Sequence, residues 1–267
     1  MKKIFSILAA LIMIFTLSAP AFAANETVVF VTICDKNGNV AVAHEAITVT
    51  DTDSDGALTI TDALFCAHES KYEGGAAAGY ATAMTAYGIS MTKLWGAENG
   101  SGYGYYLNNA SAWSLTEPVK NGDLVNAFVY TDTVNFSDTF SYFDKNTANV
   151  NKNGEITLTL LSCGFDSNFA PMTLPVKDAT ITVDGVATSY KTDAQGKVTV
   201  KLSEAGKHQI SAKSETMTLV APICTVNVSD NVQNVPTGDS FMTYVGITAV
   251  SLAIACVVFK FKKIHEE

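Results

Sequence analysis

An uncharged apolar stretch stands near each end of this chain, and together they confine what can fold to the residues between them. Lys2 and Lys3 precede an apolar run from Ile4 to about Leu17, followed by Ala21-Phe22-Ala23. Such a run is too short for a hydrocarbon core of about 30 Å, and a small-x-small triplet is what a signal peptidase cuts. The expectation is a secretory signal peptide over residues 1–23, with the mature chain starting at Ala24. Near the other end, Phe241 to Phe259 carries no charge and is followed by Lys260, Lys262 and Lys263. That order predicts a membrane-spanning helix over 241–259 with a basic cytoplasmic tail over 260–267 and the bulk of the chain outside.

About 210 residues remain between these ends, enough for two modest domains, each with its own core. The chain has 17 basic and 26 acidic residues, and 12 against 24 once the two ends are set aside. All the basic side chains are lysines, and no basic patch is interleaved with aromatics, which argues against a nucleic acid partner. Of five cysteines, Cys256 lies in the expected span, leaving Cys34 and Cys66 in one half and Cys163 and Cys224 in the other. One disulfide per domain and four buried thiols are both compatible with that distribution. No Cys/His spacing suggests zinc.

The first half opens with Thr-Val-Val-Phe-Val-Thr-Ile after Glu26 and resumes the same β-branched character at Ala46-Ile-Thr-Val-Thr, with Lys36-Asn-Gly-Asn between them, which predicts a hairpin. Asp51-Thr-Asp-Ser-Asp-Gly-Ala-Leu-Thr-Ile-Thr-Asp62 then places carboxylates at positions one, three, five and twelve of a loop, with glycine at six. That spacing wraps a hard cation: Asp51, Asp53 and Asp55 supply oxygens, Gly56 permits the bend, Ala57 offers its carbonyl and Asp62 closes the shell around calcium. The alternative is an acidic, solvated turn that caps a helix beginning near Asp62. The terminal aspartate resembles dockerin calcium loops, but a single copy argues against a cohesin partner.

Ala63, Leu64, Ala67 and His68 recur at helical spacing, which predicts a short amphipathic helix with His68 at its edge and not a metal ligand. Gly74-Gly-Ala-Ala-Ala-Gly reads as a flexible connection. Trp95, Tyr103, Tyr105, Tyr106 and Trp113 could form a stacking platform for a glycan or another flat ligand, or could be core residues on one face of a strand. From residue 135 to 228, short β runs alternate with turns, which predicts an all-β second domain, and residues 229–240 read as a polar tether. His208 alternates with Ile210 and is expected at the surface.

Three stretches carry resemblances. Thr59-Ile-Thr-Asp-Ala-Leu64, Gly102-Tyr-Gly-Tyr-Tyr-Leu-Asn108 and Val119-Lys-Asn-Gly-Asp-Leu-Val125 with Tyr130 resemble the transcobalamin-like C-terminal domain family of bacterial surface modules, over roughly residues 24–134. That resemblance implies a β-grasp-like fold, a mixed sheet with one helix across it, and raises cobalamin as a ligand. Tyr103 stands where the family commonly has Trp, and Asn109 where it commonly has Gly. Ala179-Thr-Ile-Thr-Val-Asp-Gly185 and Thr192-Asp-Ala-Gln-Gly196 resemble Ig-like or prealbumin-like spacer domains. Val235-Pro236-Thr237-Gly238 resembles the signal that sortases cut between Thr and Gly to join a protein to peptidoglycan in Gram-positive envelopes, although the usual residue between Pro and Thr is missing. No HExxH, Gly-x-Ser-x-Gly or phosphate-binding loop is present. The sequence therefore points to a cell-surface, non-enzymatic binding or adhesion protein with a mainly β architecture, or to a spacer without a ligand.

Overall fold

The computed structural model describes residues 26–100, 102–168 and 170–230. The expected signal peptide, the residues Val235 to Gly238 and the apolar stretch 241–259 lie outside the described residues. No helix among the described residues is long and apolar enough to cross a membrane. The described chain is mainly β, arranged as two domains joined by a short linker.

In the first domain, β1 (Thr27–Cys34) and β2 (Val40–Val49) form an antiparallel hairpin, whose turn is tied by Asp35 accepting the backbone N–H groups of Asn37 and Asn39. The acidic loop leads into α1 (Ile60–Lys71), and the Gly/Ala-rich connection forms a helical turn, α2 (Gly75–Gly79), where the sequence suggested a flexible link. A separate hairpin follows, β3 (Ala81–Thr85) with β4 (Gly88–Lys93), and then β5 (Tyr103–Leu107), β6 (Ala110–Ser111) and β7 (Leu124–Val129). The main sheet has the order β2-β1-β7-β5-β6, with β7 inserted beside β1 and parallel to it. Asn108 and Asn109, both at positive φ, make the two-residue β5–β6 turn. Asparagine tolerates the left-handed conformation that such a turn demands.

Side-chain alternation sends Val29, Val31, Ile33, Val125, Ala127 and Val129 to one face of the sheet, where Ile60, Ala63, Leu64 and Ala67 of α1 cover them. The other face is apolar too. Cys34 and Phe128 point away from the helix and pack with Phe140 and Val220 of the second domain, with Tyr106, Tyr130, Tyr142 and Cys163 around them. Tyr106 stacks on Phe140 with ring centroids 3.8 Å apart. Phe128 lies flat across β5 because residue 104 is glycine, and any Cβ there would collide with the phenyl ring.

The second domain comprises β8 (Thr139–Phe143), β9 (Thr147–Asn151), β10 (Glu155–Phe165), β11 (Pro171–Pro175), β12 (Thr180–Val183), β13 (Val186–Lys191), β14 (Lys197–Lys201), β15 (Gly206–Lys213), β16 (Leu219–Val220) and β17 (Cys224–Ser229). One sheet has the order β11-β10-β8-β16, with β14 beside the first part of β10, and the other has the order β13-β12-β15-β17-β9. Ile156, Leu158 and Leu160 alternate inward along β10 and meet Ile181, Ile210, Val226 and Val228 of the opposite sheet in one core. The linker is tied down by Asp138, which accepts from the N–H and hydroxyl of Thr131 and the N–H of Asp132, and by Asp132, which accepts from Val134, Asn135 and Ser137. A Lys207–Glu45 pair at 3.8 Å also crosses the joint, but its exposure makes it a minor contributor.

Phe140→Ala would empty the centre of this joint, a loss of about 3 kcal/mol for a buried phenylalanine. The expected outcome is that one calorimetric unfolding transition becomes two, as the domains uncouple; a single transition of unchanged width would count against a shared core.

Candidate functional site

The acidic loop is placed by the end of β2 and the start of α1. Asp51, Asp53 and Asp55 are exposed, and one carboxylate oxygen from each lies within 4.8 Å of the other two. Oxygens about 2.4 Å from a shared calcium ion can be at most about 4.8 Å apart, so these three fit around one ion. The loop is shaped by its own backbone: Asp51 accepts from Ser54 and Gly56, and Asp55 accepts from Ala57. Gly56 takes φ +88°, the sharp bend expected at position six. Local desolvation, opposed by the Asp55 N–H and reinforced by the charges of Asp55, Asp62 and Asp51, holds Asp53 above the usual carboxylate range. A cation would relieve that repulsion.

Asp62 does not complete this group. It is fully buried, and its oxygens accept two hydrogen bonds each: from the N–H and hydroxyl of Thr52 at 2.8 and 2.6 Å, and from the N–H and hydroxyl of Thr59 at 2.9 and 2.7 Å. A carboxylate with four such donors has its lone pairs filled, which corrects the expectation that it closes a calcium shell. Burial would raise its pKa, but these hydrogen bonds outweigh burial and hold Asp62 below the ordinary value. Thr59 is the N-cap, and Asp62 at the third helical position completes a capping box, so the helix starts at Ile60, before the expected point. The Thr-x-x-Asp spacing was legible in the sequence; the role of Thr52 was not, because it lies ten residues away. Asp62→Ala would leave four donors without an acceptor, at a cost of about 2 kcal/mol or more. Urea unfolding should show the same loss with calcium and with chelator.

The five rings read as either one platform or one strand-face core are divided among separate environments. Tyr103 and Tyr105 face the helix side with the core, and Tyr106 faces the domain joint, because neighbours on a strand point to opposite faces. The Tyr103 hydroxyl accepts from the N–H of Asn99 and donates to the Thr92 carbonyl at 2.7 Å, which leaves it a core residue. Trp113 is 91% exposed. Trp95 packs edge-on against Tyr72 and beside His68 near the end of α1.

His68 is not at the helix edge. It is fully buried, with Tyr72, Tyr80 and Trp95 around it, and both ring nitrogens are used. The Trp95 N–H can only donate, so Nε2 accepts from it at 3.1 Å, and Nδ1–H donates to the Leu64 carbonyl at 2.7 Å. Burial, partly opposed by the Leu64 carbonyl, holds His68 below the ordinary histidine value, in the neutral form.

Cys34, Cys66, Cys163 and Cys224 are all free, so of the two arrangements the sequence left open the structure has thiols and not one disulfide per domain. Cys34 faces the joint while Cys66 packs on the helix side of the same sheet, and Cys163 faces the joint while Cys224 lies inside the sandwich. Each pair is separated by a layer of structure. Burial pushes the Cys34 and Cys224 thiols up to about 12, which makes them poor nucleophiles.

His208 is partly covered, with Nδ1 at 2.7 Å from the Asp184 carboxylate and Nε2 at 2.9 Å from the Glu204 carbonyl. Two acceptors require two N–H donors, so the Asp184 bond and the Glu204 carbonyl raise its pKa and favour the imidazolium. A raised pKa contributes stability below the ordinary histidine value and loses it as pH rises through the folded one. Urea midpoints between about pH 6 and pH 9 should fall on the alkaline side in the wild type, and His208→Gln should remove that part of the fall.

No family model matches the chain, and no characterised protein matches it in sequence. Among solved structures, the D0-D1 domain of intimin aligns at 17% identity and a TM-score of 0.27, covering 75% of this chain and 97% of that one. Tandem Ig repeats of Dlar align at 11% and 0.22, covering 56% and 75%, and the N-terminal four Ig domains of Dscam1 isoform 8.4 at 9% and 0.21, covering 57% and 41%. The chain thus spans about two fifths of that Dscam1 fragment. At these TM-scores the likenesses carry no argument about function.

Proposed function

We propose that this chain is an exported, envelope-held surface protein that binds an extracellular ligand without catalysing a reaction, with its two domains acting as one rigid unit. The observation that carries the reading is the joint. Phe128, Tyr106 and Tyr130 share a buried cluster with Phe140 and Tyr142, and Asp132 and Asp138 tie the linker. A module displayed from a surface needs such stiffness, because a free hinge would let it fold back on its support.

In this reading the signal-like segment 1–23 exports the chain and the apolar stretch 241–259 holds it, with a sortase acting between Thr237 and Gly238 as a route to peptidoglycan. The first domain is β-grasp-like, since a hairpin, a crossing helix and a last strand beside the first are the parts that fold requires. The second is an Ig-like or prealbumin-like sandwich that spaces it from the envelope. Ligand contact falls to Trp113, the ring among the five with most of its surface in water. Calcium is a structural ion held by Asp51, Asp53 and Asp55 with the Ala57 carbonyl, and water completes its shell.

The test is calorimetric titration of calcium into chelator-treated protein, followed by glycan and protein binding in calcium. The wild type should bind with a Kd of about 10⁻⁴ to 10⁻³ M and melt at a higher temperature, and Asp53→Ala should do neither. Absence of both effects in the wild type would make the loop a solvated turn. Binding lost in Trp113→Ala supports the ligand reading. No binding at all by the wild type leaves a structural spacer, and a visible-band shift with cobalamin would replace the reading with corrinoid capture.

A further inference from the structure

We propose that His68 is a proton-operated latch, which holds the Trp95-Gly96 turn closed at neutral pH and releases it, with the foot of the β3–β4 hairpin, on acidification. Leu94 and Ala97 exchange backbone hydrogen bonds around this turn at 3.1 and 2.9 Å, and both central residues have positive φ, 48° at Trp95 and 73° at Gly96. Asparagine or glycine suits the first of these positions; a tryptophan there is strained and persists only where its surroundings impose the conformation.

Those surroundings can be named. The Gly96 N–H donates to the Gly79 carbonyl at 3.0 Å, and the Tyr72 hydroxyl fills the space where a Cβ on residue 96 would stand. The remaining bond is the Trp95 N–H to His68 Nε2. A proton arriving at the buried ring can go only to Nε2, since Nδ1 already carries one for the Leu64 carbonyl. It would turn the acceptor into a donor facing another donor.

No carboxylate faces the ring to offset the burial of a charge. From α1 it meets the Leu64 carbonyl and Tyr72, from the residue after α2 it meets Tyr80, and from the turn it meets Trp95. Burial holds the Tyr80 hydroxyl protonated and so uncharged. The nearest charged residues of α1 are engaged elsewhere, Glu69 with the Ala76 N–H and Lys71 with Glu45. His208, by contrast, has a carboxylate waiting for its proton.

The hairpin is suited to respond. It forms its own two-stranded sheet, carries no charge from Ala81 to Thr92, and exposes Met84 and Tyr87 at its tip, while Lys93 at its foot pairs with Glu98 at 3.1 Å. Met91 and Leu94 at its foot enter the core, and Ile89 packs against it half-buried.

Hydrogen exchange on the full chain at about pH 7.5 and about pH 5, expressed as protection factors so that the intrinsic rate cancels, tests this. The expected result is a fall of about tenfold or more at Trp95, Gly96 and the hairpin while β1 and β7 keep their protection. His68→Gln, whose side-chain oxygen accepts from the Trp95 N–H at either pH, should keep the hairpin protected throughout. Unchanged hairpin protection in the wild type, a fall shared equally by β1 and β7, or the same fall in His68→Gln would overturn the proposal. If that variant does not fold, the wild type decides: the His68 ring signals and Trp95 exchange should share one pH midpoint, and separate midpoints would overturn the latch.

Discussion

Strand β7 is apolar on both faces, and the burial of both is what the rest of the molecule is arranged around. Val125, Ala127 and Val129 require the helix on one side, and Phe128 requires the second domain on the other. A central strand flanked by β1 and β5 with only one face covered would leave Phe128 and Tyr106 in water, a large apolar loss. The domains are therefore held by a shared core and an ordered linker, with charge pairs adding little at the rim.

Within the first domain, helix α1 is fixed at its start by a carboxylate and near its end by an imidazole. Asp62 draws Thr52 and Thr59 onto the first turn, which ties the acidic loop to the helix and orients Asp51, Asp53 and Asp55 outward together. His68 receives the Trp95 N–H and so fastens the β4–β5 connection to the same helix. A loop that presents charge and a hairpin that presents apolar side chains are thus both referenced to one element of twelve residues. His68 and His208 differ in what faces them: His68 sees only neutral groups, and His208 sees Asp184. Their linkage to pH accordingly has opposite sign in the two domains.

Much of the secondary structure was legible because the signals are local. The β-branched alternation of Thr27–Cys34 and of Glu155–Phe165 marks strands with a buried face, and Thr59 with Asp62 marks a helix start at the spacing of a capping box. The acidic turn was equally local, since the three carboxylates that come together in it stand only a few positions apart. The choice between an aromatic platform and core rings was not legible, because density of rings in sequence says nothing about which face each ring takes. Tyr103 and Tyr106 differ by an odd number of residues on one strand and so part company.

What the sequence by itself determined is thus the set of β elements, the capped helix and the outward-facing carboxylates, each the product of backbone preferences and hydrogen bonds within about a dozen residues. Only the tertiary structure decided that Asp62 serves Thr52 and Thr59, that His68 lies buried under Trp95, that the cysteines face different layers, and that Phe128 meets Phe140. Those outcomes depend on which strand lies beside which and which domain covers the open face. Pairing of that kind is set by burying the most apolar surface across the whole chain, so no short window of residues contains it.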